Sequence, residues 1–447
     1  MEQKRWNSTG FVSVKDADFQ LNGVPYRFYG TNAYWVQMLT DEDIETTFHD
    51  IATADYRVVR TWAFNDVANK PSSGTYFQIL QNGKATINDG ADGLQRLDQV
   101  VATANKFGVK LLLTLTNNWD PKRTESSSSF RRWDDGTLPR GYLSNDYGGM
   151  DLYNRAFVSN PTHDDFYTNP DIINAFKNYI SHVVKRYANN SAVLGWELAN
   201  DPRCSSTLQG SSSCNTKTIT TWVNDISGYI KNLDSNHLIT AGDGGFYCEH
   251  CPKLYAKTST KPPTVSVGST FDGSFGVDTE DILSVPCIDF GSFQLFPDQN
   301  QYFPGSSGDF ASTAISQGNR WVAQHSATSS TFKKPMAITA FSIVTKDNWP
   351  LFVPFNSSTR MPPGAPCRGV DNFQKNYAFV SWAEVGLTGS IGGALEYQWG
   401  QKGLEDVPHV NRKRQATGNT SPDDGNANYQ NSYTGQTATQ FASSLSM

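Results

Sequence analysis

Carboxyl groups set beside polar turn residues are the candidates for proton transfer in this chain. The most informative is Asp201, in the run Trp196-Glu197-Leu198-Ala199-Asn200-Asp201-Pro202-Arg203-Cys204. Asp243, Glu249 and Glu396 are further carboxyl candidates. Glu197 stands out of phase with the Asn200-Asp201 pair and reads as structural. Glu396 alternates with Tyr397, so it should face away from any site that Tyr397 faces, towards the outer helices. Two other motifs carry less. Gly242-Asp243-Gly244-Gly245 is a turn signal rather than a phosphate loop, since no Gly-Lys-Ser/Thr follows. Cys248-Glu249-His250-Cys251 has the spacing of a metal knuckle but lacks a second Cys/His pair. No nucleotide, flavin or metal motif stands out, so neither a cofactor nor a metal is expected.

The elements that must position these groups follow from periodicity. Short β-rich runs at Tyr26–Gly30, Val58–Trp62, Lys110–Thr116, Val193–Glu197, Leu238–Ala241, Ile288–Phe293, Met336–Thr339 and Ile391–Glu396 read as eight strands. Helical patterns at Asp41–Ala54, Gly93–Phe107, Pro170–Tyr187, Thr218–Leu233, Ser312–Thr328 and Asn372–Val385 lie between them. Eight such repeats predict an α/β chain forming a single (β/α)8 (TIM) barrel over residues 1–447, with no appended module. The stretches 117–165, 243–286 and 342–371 are too long for turns and follow strand ends, the face on which barrels bind ligands. Residues 400–435 read as a long eighth loop before a short helix near Gln436–Ser444. The cleft is expected among the loops after Asn117, Asn200, Asp243, Phe296 and Ala340.

Composition narrows the partners. Of 447 residues, 13% are aromatic, more than a core of this size usually needs, and flat rings suit clefts that pack on the apolar faces of sugars. A net charge of −6 argues against nucleic acid or an anionic membrane as partner. No apolar run approaches the ~20 residues of a membrane span. Four Asn-x-Ser/Thr sequons, at Asn7, Asn189, Asn356 and Asn419, and six cysteines point to a secreted, disulfide-bonded monomer. Met1–Arg5 has no apolar core, so a signal peptide is expected to have been replaced by Met1. Cys204–Cys214 and Cys248–Cys251 are the local pairings, which leaves Cys287–Cys367.

Several motifs in strand order point one way. Gly30-Thr31-Asn32-Ala33-Tyr34-Trp35 follows the first strand, Arg60-Thr61-Trp62 ends the second, and Asn117-Asn118-Trp119-Asp120 follows the third. Tyr147-Gly148-Gly149-Met150-Asp151, His163-Asp164-Asp165-Phe166-Tyr167 and Trp196–Arg203 come next. Together they resemble the fungal endo-β-1,4-mannanases of glycoside hydrolase family 5, from about Phe11 to the last helix. The resemblance implies retaining cleavage of β-1,4-mannan by two carboxyl groups ~5–5.5 Å apart, an acid/base after strand four and a nucleophile after strand seven. By position these are Asp201, where the family has Glu, and Ala340, in Lys333–Ser342, where the family has Glu. The family's His-x-Tyr on strand six corresponds to Gln294 and Phe296, and its strand-eight Trp to Tyr397. Arg60, Asn118, Trp119 and Asn200 match the family, and Trp35 and Trp119 are expected to stack on sugar rings.

The departures bear on chemistry. Ala340 has no nucleophilic atom, and loss of a nucleophile costs ~10⁴–10⁶ in rate. The Asp201 carboxyl stands one methylene further back, and a retreat of about 1 Å can cost ~10²-fold. An inverting route would need a second carboxylate ~6.5–9.5 Å away, for which Asp243 is the leading candidate. Three expectations follow. The leading one is a repurposed barrel enzyme, with Asp201 as a buried general acid in an apolar mouth. The others are a non-hydrolytic glycan binder and a weak hydrolase with a relocated base.

Overall fold

The computed structural model of the protein describes residues 9–121, 138, 140–255, 270–303, 308–404, 419–429, 435, 436 and 440. Val58–Trp62 and Val193–Glu197 are buried at every position, the pattern of parallel strands covered on both faces. Eight strands of this kind form one sheet: β1 (Phe28–Asn32), β2 (Val58–Trp62), β3 (Lys110–Thr114), β4 (Val193–Glu197), β5 (Leu238–Thr240), β6 (Gly291–Leu295), β7 (Met336–Phe341) and β8 (Ile391–Glu396). All paired neighbours are parallel, in the order β5-β4-β3-β2-β1-β8-β7-β6. Across the seam, Asp289 N–H donates to the Ile239 carbonyl at 2.9 Å, so β5 and β6 all but close the ring. The architecture is the expected (β/α)8 barrel.

Helices α1 (Asp41–Thr53), α2 (Leu94–Phe107), α3 (Pro170–Tyr187), α4 (Thr216–Leu233), α5 (Thr279–Leu283), α6 (Phe310–Phe332) and α7 (Asn372–Thr388) lie between successive strands. Their starts are written in capping side chains. Thr40 accepts from Asp43 N–H, Asn169 precedes a first-turn proline, and Asp371 with Gln374 forms a capping box. A hairpin sheet at Val12–Pro25 closes the barrel floor. Phe19 from it lies so near the sheet that a Cβ on Gly392 would stand 2.3 Å from the ring, so glycine is required there.

β2, β4, β8 and α3 begin and end where the sequence places them. β1 starts two residues late because Tyr26 N–H bonds Phe19 of the floor hairpin instead. β6 starts three residues late. Ile288 and Phe290 supply the apolar signal as core residues, but the ladder to β7 begins at Gly291. The 117–165 stretch also contains helices at Met150–Phe157 and Asp165–Thr168, which were not foreseen. Most of Gln436–Ser444 lies outside the described residues, as does Asn7.

Two of the three expected disulfides are present, Cys204–Cys214 and Cys248–Cys251, and the second excludes a metal knuckle there. The third expectation is corrected, for Cys287 and Cys367 are free thiols. Cys287 precedes β6 at the floor of the barrel, whereas Cys367 lies in the loop after β7 at the mouth. A strand length separates them, and a disulfide needs Cα atoms within about 7 Å.

Candidate active-site cleft

At the strand C-terminal ends, a buried polar network organises one side of the mouth. Arg60, at the end of β2, donates to Glu197 Oε2 at 2.7 Å, to Asn32 Oδ1 at 3.0 Å and to Asn200 Oδ1 at 2.8 Å. Thr114 also donates to Glu197, and Asn200 Nδ2 donates to Asn117 Oδ1 at 2.8 Å. Glu197 thus has the structural place expected of it. A buried guanidinium of this kind keeps a carboxylate company and fixes the amide of Asn200 at the cleft surface.

Asp201 follows in a left-handed conformation (φ 54°), one that Asp tolerates better than most residues. The turn brings its carboxylate against Arg203. Nε of Arg203 lies 3.0 Å from both oxygens, and a terminal nitrogen lies 2.9 Å from Oδ2. The Trp119 indole N–H donates to the same Oδ2 at 2.9 Å. The expectation of a lone acid in an apolar setting is corrected: Asp201 is ion-paired. The Arg203 guanidinium is in turn ringed by Trp119, Phe246, Phe275 and Phe355, with centroids 4.3 to 5.4 Å away.

Ala340, near the end of β7, lines the same cleft as Asp201, Arg60, Asn200, Gln294, Phe296 and Tyr397. Gln294 Nε2 donates to Asn200 Oδ1 at 3.0 Å, joining β6 to the polar side. Phe296 packs edge-on against Tyr397, 5.6 Å between centroids. Strands β6 to β8 therefore contribute an amide, a methyl and two rings to the cleft surface.

Three sequence-based placements are corrected. Trp35 is fully buried, its N–H bonded to Gln398 Oε1 at 3.1 Å, because the turn after β1 tucks it beneath the mouth. Asn118 points away from the cleft. Its side-chain oxygen accepts from Arg203 N–H at 3.1 Å and pairs with His163 Nε2 at 2.8 Å, while His163 Nδ1 meets Asp151 at 2.6 Å. It is Asn117, one residue earlier, that faces Asn200. Asp243 is buried, where it accepts from Ser292 Oγ at 3.3 Å and from Gly245 N–H at 3.2 Å, and burial pushes its carboxyl up to about 7. It does not line the cleft, so no inverting pair with Asp201 is assembled there. Trp119 lines the cleft as expected, and what differs from the expected open stacking face is the Phe355 ring packed against it at 4.6 Å between centroids. Glu249 is exposed outside the cleft. Glu396 faces the helix layer as expected, bonded by Tyr56 at 2.8 Å and Tyr29 at 3.3 Å, with burial raising it to about 7. Among the described residues no cluster of three metal-ligating side chains occurs.

The model of the glycoside hydrolase family 5 β-mannosidase-like proteins matches residues 9–376. A mannan endo-1,4-β-mannosidase A of Aspergillus aculeatus is 37% identical over 338 residues, 75% of this chain and 74% of that protein. The chain belongs to glycoside hydrolase family 5. A probable mannan endo-1,4-β-mannosidase A of Aspergillus flavus is 32% identical over 94% of this chain and 84% of its own length. The endo-1,4-β-mannanase of Rhizomucor miehei superposes with a TM-score of 0.71 at 27% identity, covering 98% of this chain and 99% of that one.

Within this family 5 barrel, sequence reasoning missed three cleft residues. Asp424, after β8, lines the cleft and accepts from Tyr397 Oη at 2.8 Å; burial, then repulsion from Asp423, raises it to about 6. An Asp-Asp-Gly turn marked the place, but nothing tied that turn to the mouth. Arg203 and Phe355 carried no signal beyond their type.

Proposed function

We propose that this family 5 protein holds a β-linked mannose-type sugar in the barrel-mouth cleft and does not cleave it by the retaining route. The reading rests chiefly on the pairing of Asp201. Arg203 takes both of its oxygens and Trp119 one of them, in a cleft where Ala340 offers only a methyl group. With both Asp201 oxygens turned to Arg203 and one also to Trp119, neither is turned to a leaving oxygen, and no covalent intermediate can form on a methyl. Asn200, Gln294 and Asp424 line the cleft and, though bonded to one another's neighbours, would add bonds to sugar hydroxyls through their remaining lone pairs and N–H groups, with Arg60 holding Asn200 in place and Tyr397 and Phe296 meeting ring faces. These features favour a non-hydrolytic binder over the repurposed enzyme with Asp201 as general acid. A single barrel domain and extracellular residence belong to the proposal, supported by the two disulfides and by exposed sequons at Asn189 and Asn356.

Calorimetry with manno-oligosaccharides, alongside reducing-end release from β-1,4-mannan, tests the proposal. Binding in the micromolar to millimolar range with no release is expected. Ready hydrolysis by the wild type would overturn it, whether or not it survives Asp201→Asn. Asp424 favours one second reading, a weak hydrolase with a relocated base, because it is a buried carboxyl in the cleft with a raised pKa. That reading requires cleavage of an aryl β-mannoside that disappears in Asp424→Asn.

A further inference from the structure

Trp119 offers the broad indole face of this cleft, and a sugar chain running along the mouth would stack there. Phe355 already stands against it. Its ring packs on the indole at 4.6 Å between centroids, tilted by 48°, and Phe355 also lines the cleft. Its backbone is fixed at both ends. Phe355 N–H donates to Gln299 Oε1 at 2.8 Å, and the Asn145 amide donates to the Phe355 and Ser357 carbonyls at 2.7 and 2.8 Å. Val353 N–H, two residues earlier, donates to the Asp424 carbonyl at 2.9 Å. Asn145 is itself buried, with 4% of its surface exposed, so the segment is fastened to the cleft wall and is not draped over it. On its inner side the ring completes the aromatic surround of Arg203 at 5.4 Å.

We propose that Phe355 is a specificity-determining plug that limits this cleft to a single terminal hexopyranose. With the Trp119 side closed, the polar side chains left to meet a sugar, through the lone pairs and N–H groups they do not spend on one another, are Asn200, Gln294, Tyr397 and Asp424 beside Ala340, with Arg60 paired behind Asn200. On this proposal that set meets one ring. A linear chain then enters by one end only, and added residues project into solvent without adding contacts. The inference rests on the binding reading above and deepens it by naming the length of ligand recognised.

Calorimetry with mannose, mannobiose and mannohexaose on the wild type, Phe355→Ala and Phe355→Ala/Trp119→Ala provides the test. For the wild type, the three sugars are expected to bind within about 3-fold of one another. Phe355→Ala should tighten mannohexaose by about 10-fold with mannose unchanged, and the double variant should lose that gain. Asn145→Ala serves if Phe355→Ala does not fold, as judged by thermal melting, because it keeps the ring and loosens its backbone. It should give a smaller gain of about 3-fold for mannohexaose. Wild-type protein binding mannohexaose tenfold or more above mannose overturns the plug and leaves the binding reading intact. So does a freed platform that brings no chain-length dependence. If no sugar binds any of these proteins, the binding reading falls and the plug falls with it.

Discussion

On the side of the mouth built by β1 to β4, hydrogen bonds run unbroken from Asn32 through Arg60, Glu197 and Asn200 to Asn117, whereas the side built by β6 to β8 presents Phe296, Ala340 and Tyr397 with few polar links between them. On the resemblance to the fungal mannanases, Arg60 and Asn200 on the first side read as matches, whereas Gln294, Phe296, Ala340 and Tyr397 on the second, with Asp201 after β4, read as departures. The contrast separates two demands on a barrel mouth. Arg60 and Glu197 are buried charges that must stay paired whatever the cleft does, so selection for folding alone preserves them. The methyl of Ala340 carries no charge to be matched, so position 340 owes little to folding beyond its size.

Restoring the second side should give the largest effect. Ala340→Glu with Asp201→Glu is expected to leave mannan hydrolysis within about 10-fold of background. Adding Gln294→His and Phe296→Tyr should raise it by ~10³ or more, part of the ~10⁴–10⁶ a nucleophile contributes. Full recovery in the double variant, measured as reducing ends released, would show that β6 has no part in the loss. Breaking the first side should cost stability instead. Arg60→Ala leaves Glu197 buried and unpaired, and urea unfolding should report a loss of about 3–5 kcal/mol. A loss under about 1 kcal/mol would mean that the network is not a scaffold.

The smallest effect is a pH trend shared by both sides. Burial raises Asp66 to about 8, Asp243 and Glu396 to about 7, and Asp298 and Asp424 to about 6. The folded state therefore binds these protons more tightly than the unfolded chain. Their contribution is complete below the ordinary carboxyl range and is lost as the pH rises through 6 to 8. His325, lowered to about 4 by burial, works in the opposite direction between pH 4 and 6.5, but it is one group against five. The melting temperature should fall by on the order of 5 °C between pH 5 and pH 8. A rise over that range would contradict the burial of these groups.

The barrel was legible because its information is local. Short β-rich runs, helix first turns and long loops after strand ends each announce themselves within a few residues. The site was legible only in part. Motif matching brings Asn118 and Trp35 into the cleft, yet alternation at a strand end sends Asn118 to His163, and the turn after β1 buries Trp35. Asp201 could be found from its position, but its partner could not. The Arg203 pairing depends on a left-handed turn at Asp201 and on rings contributed from residues 119, 246, 275 and 355. Such contacts are distant in sequence, and no short window contains them.

The two disulfides close loops of only ten and three residues, so neither restrains much of the unfolded chain. Both nevertheless bear on one segment. A Cβ on Gly276 would stand 2.2 Å from Cys204 Sγ, and one on Gly273 would stand 2.1 Å from Cys251 Sγ. Phe275, between them, is the ring nearest the Arg203 guanidinium. Reducing agents should therefore leave the barrel standing while slackening the wall that holds Arg203 on Asp201. Protein made in a reducing compartment would then melt normally and still present a mis-set mouth, so a thermal scan alone would not certify a preparation as fit for binding work.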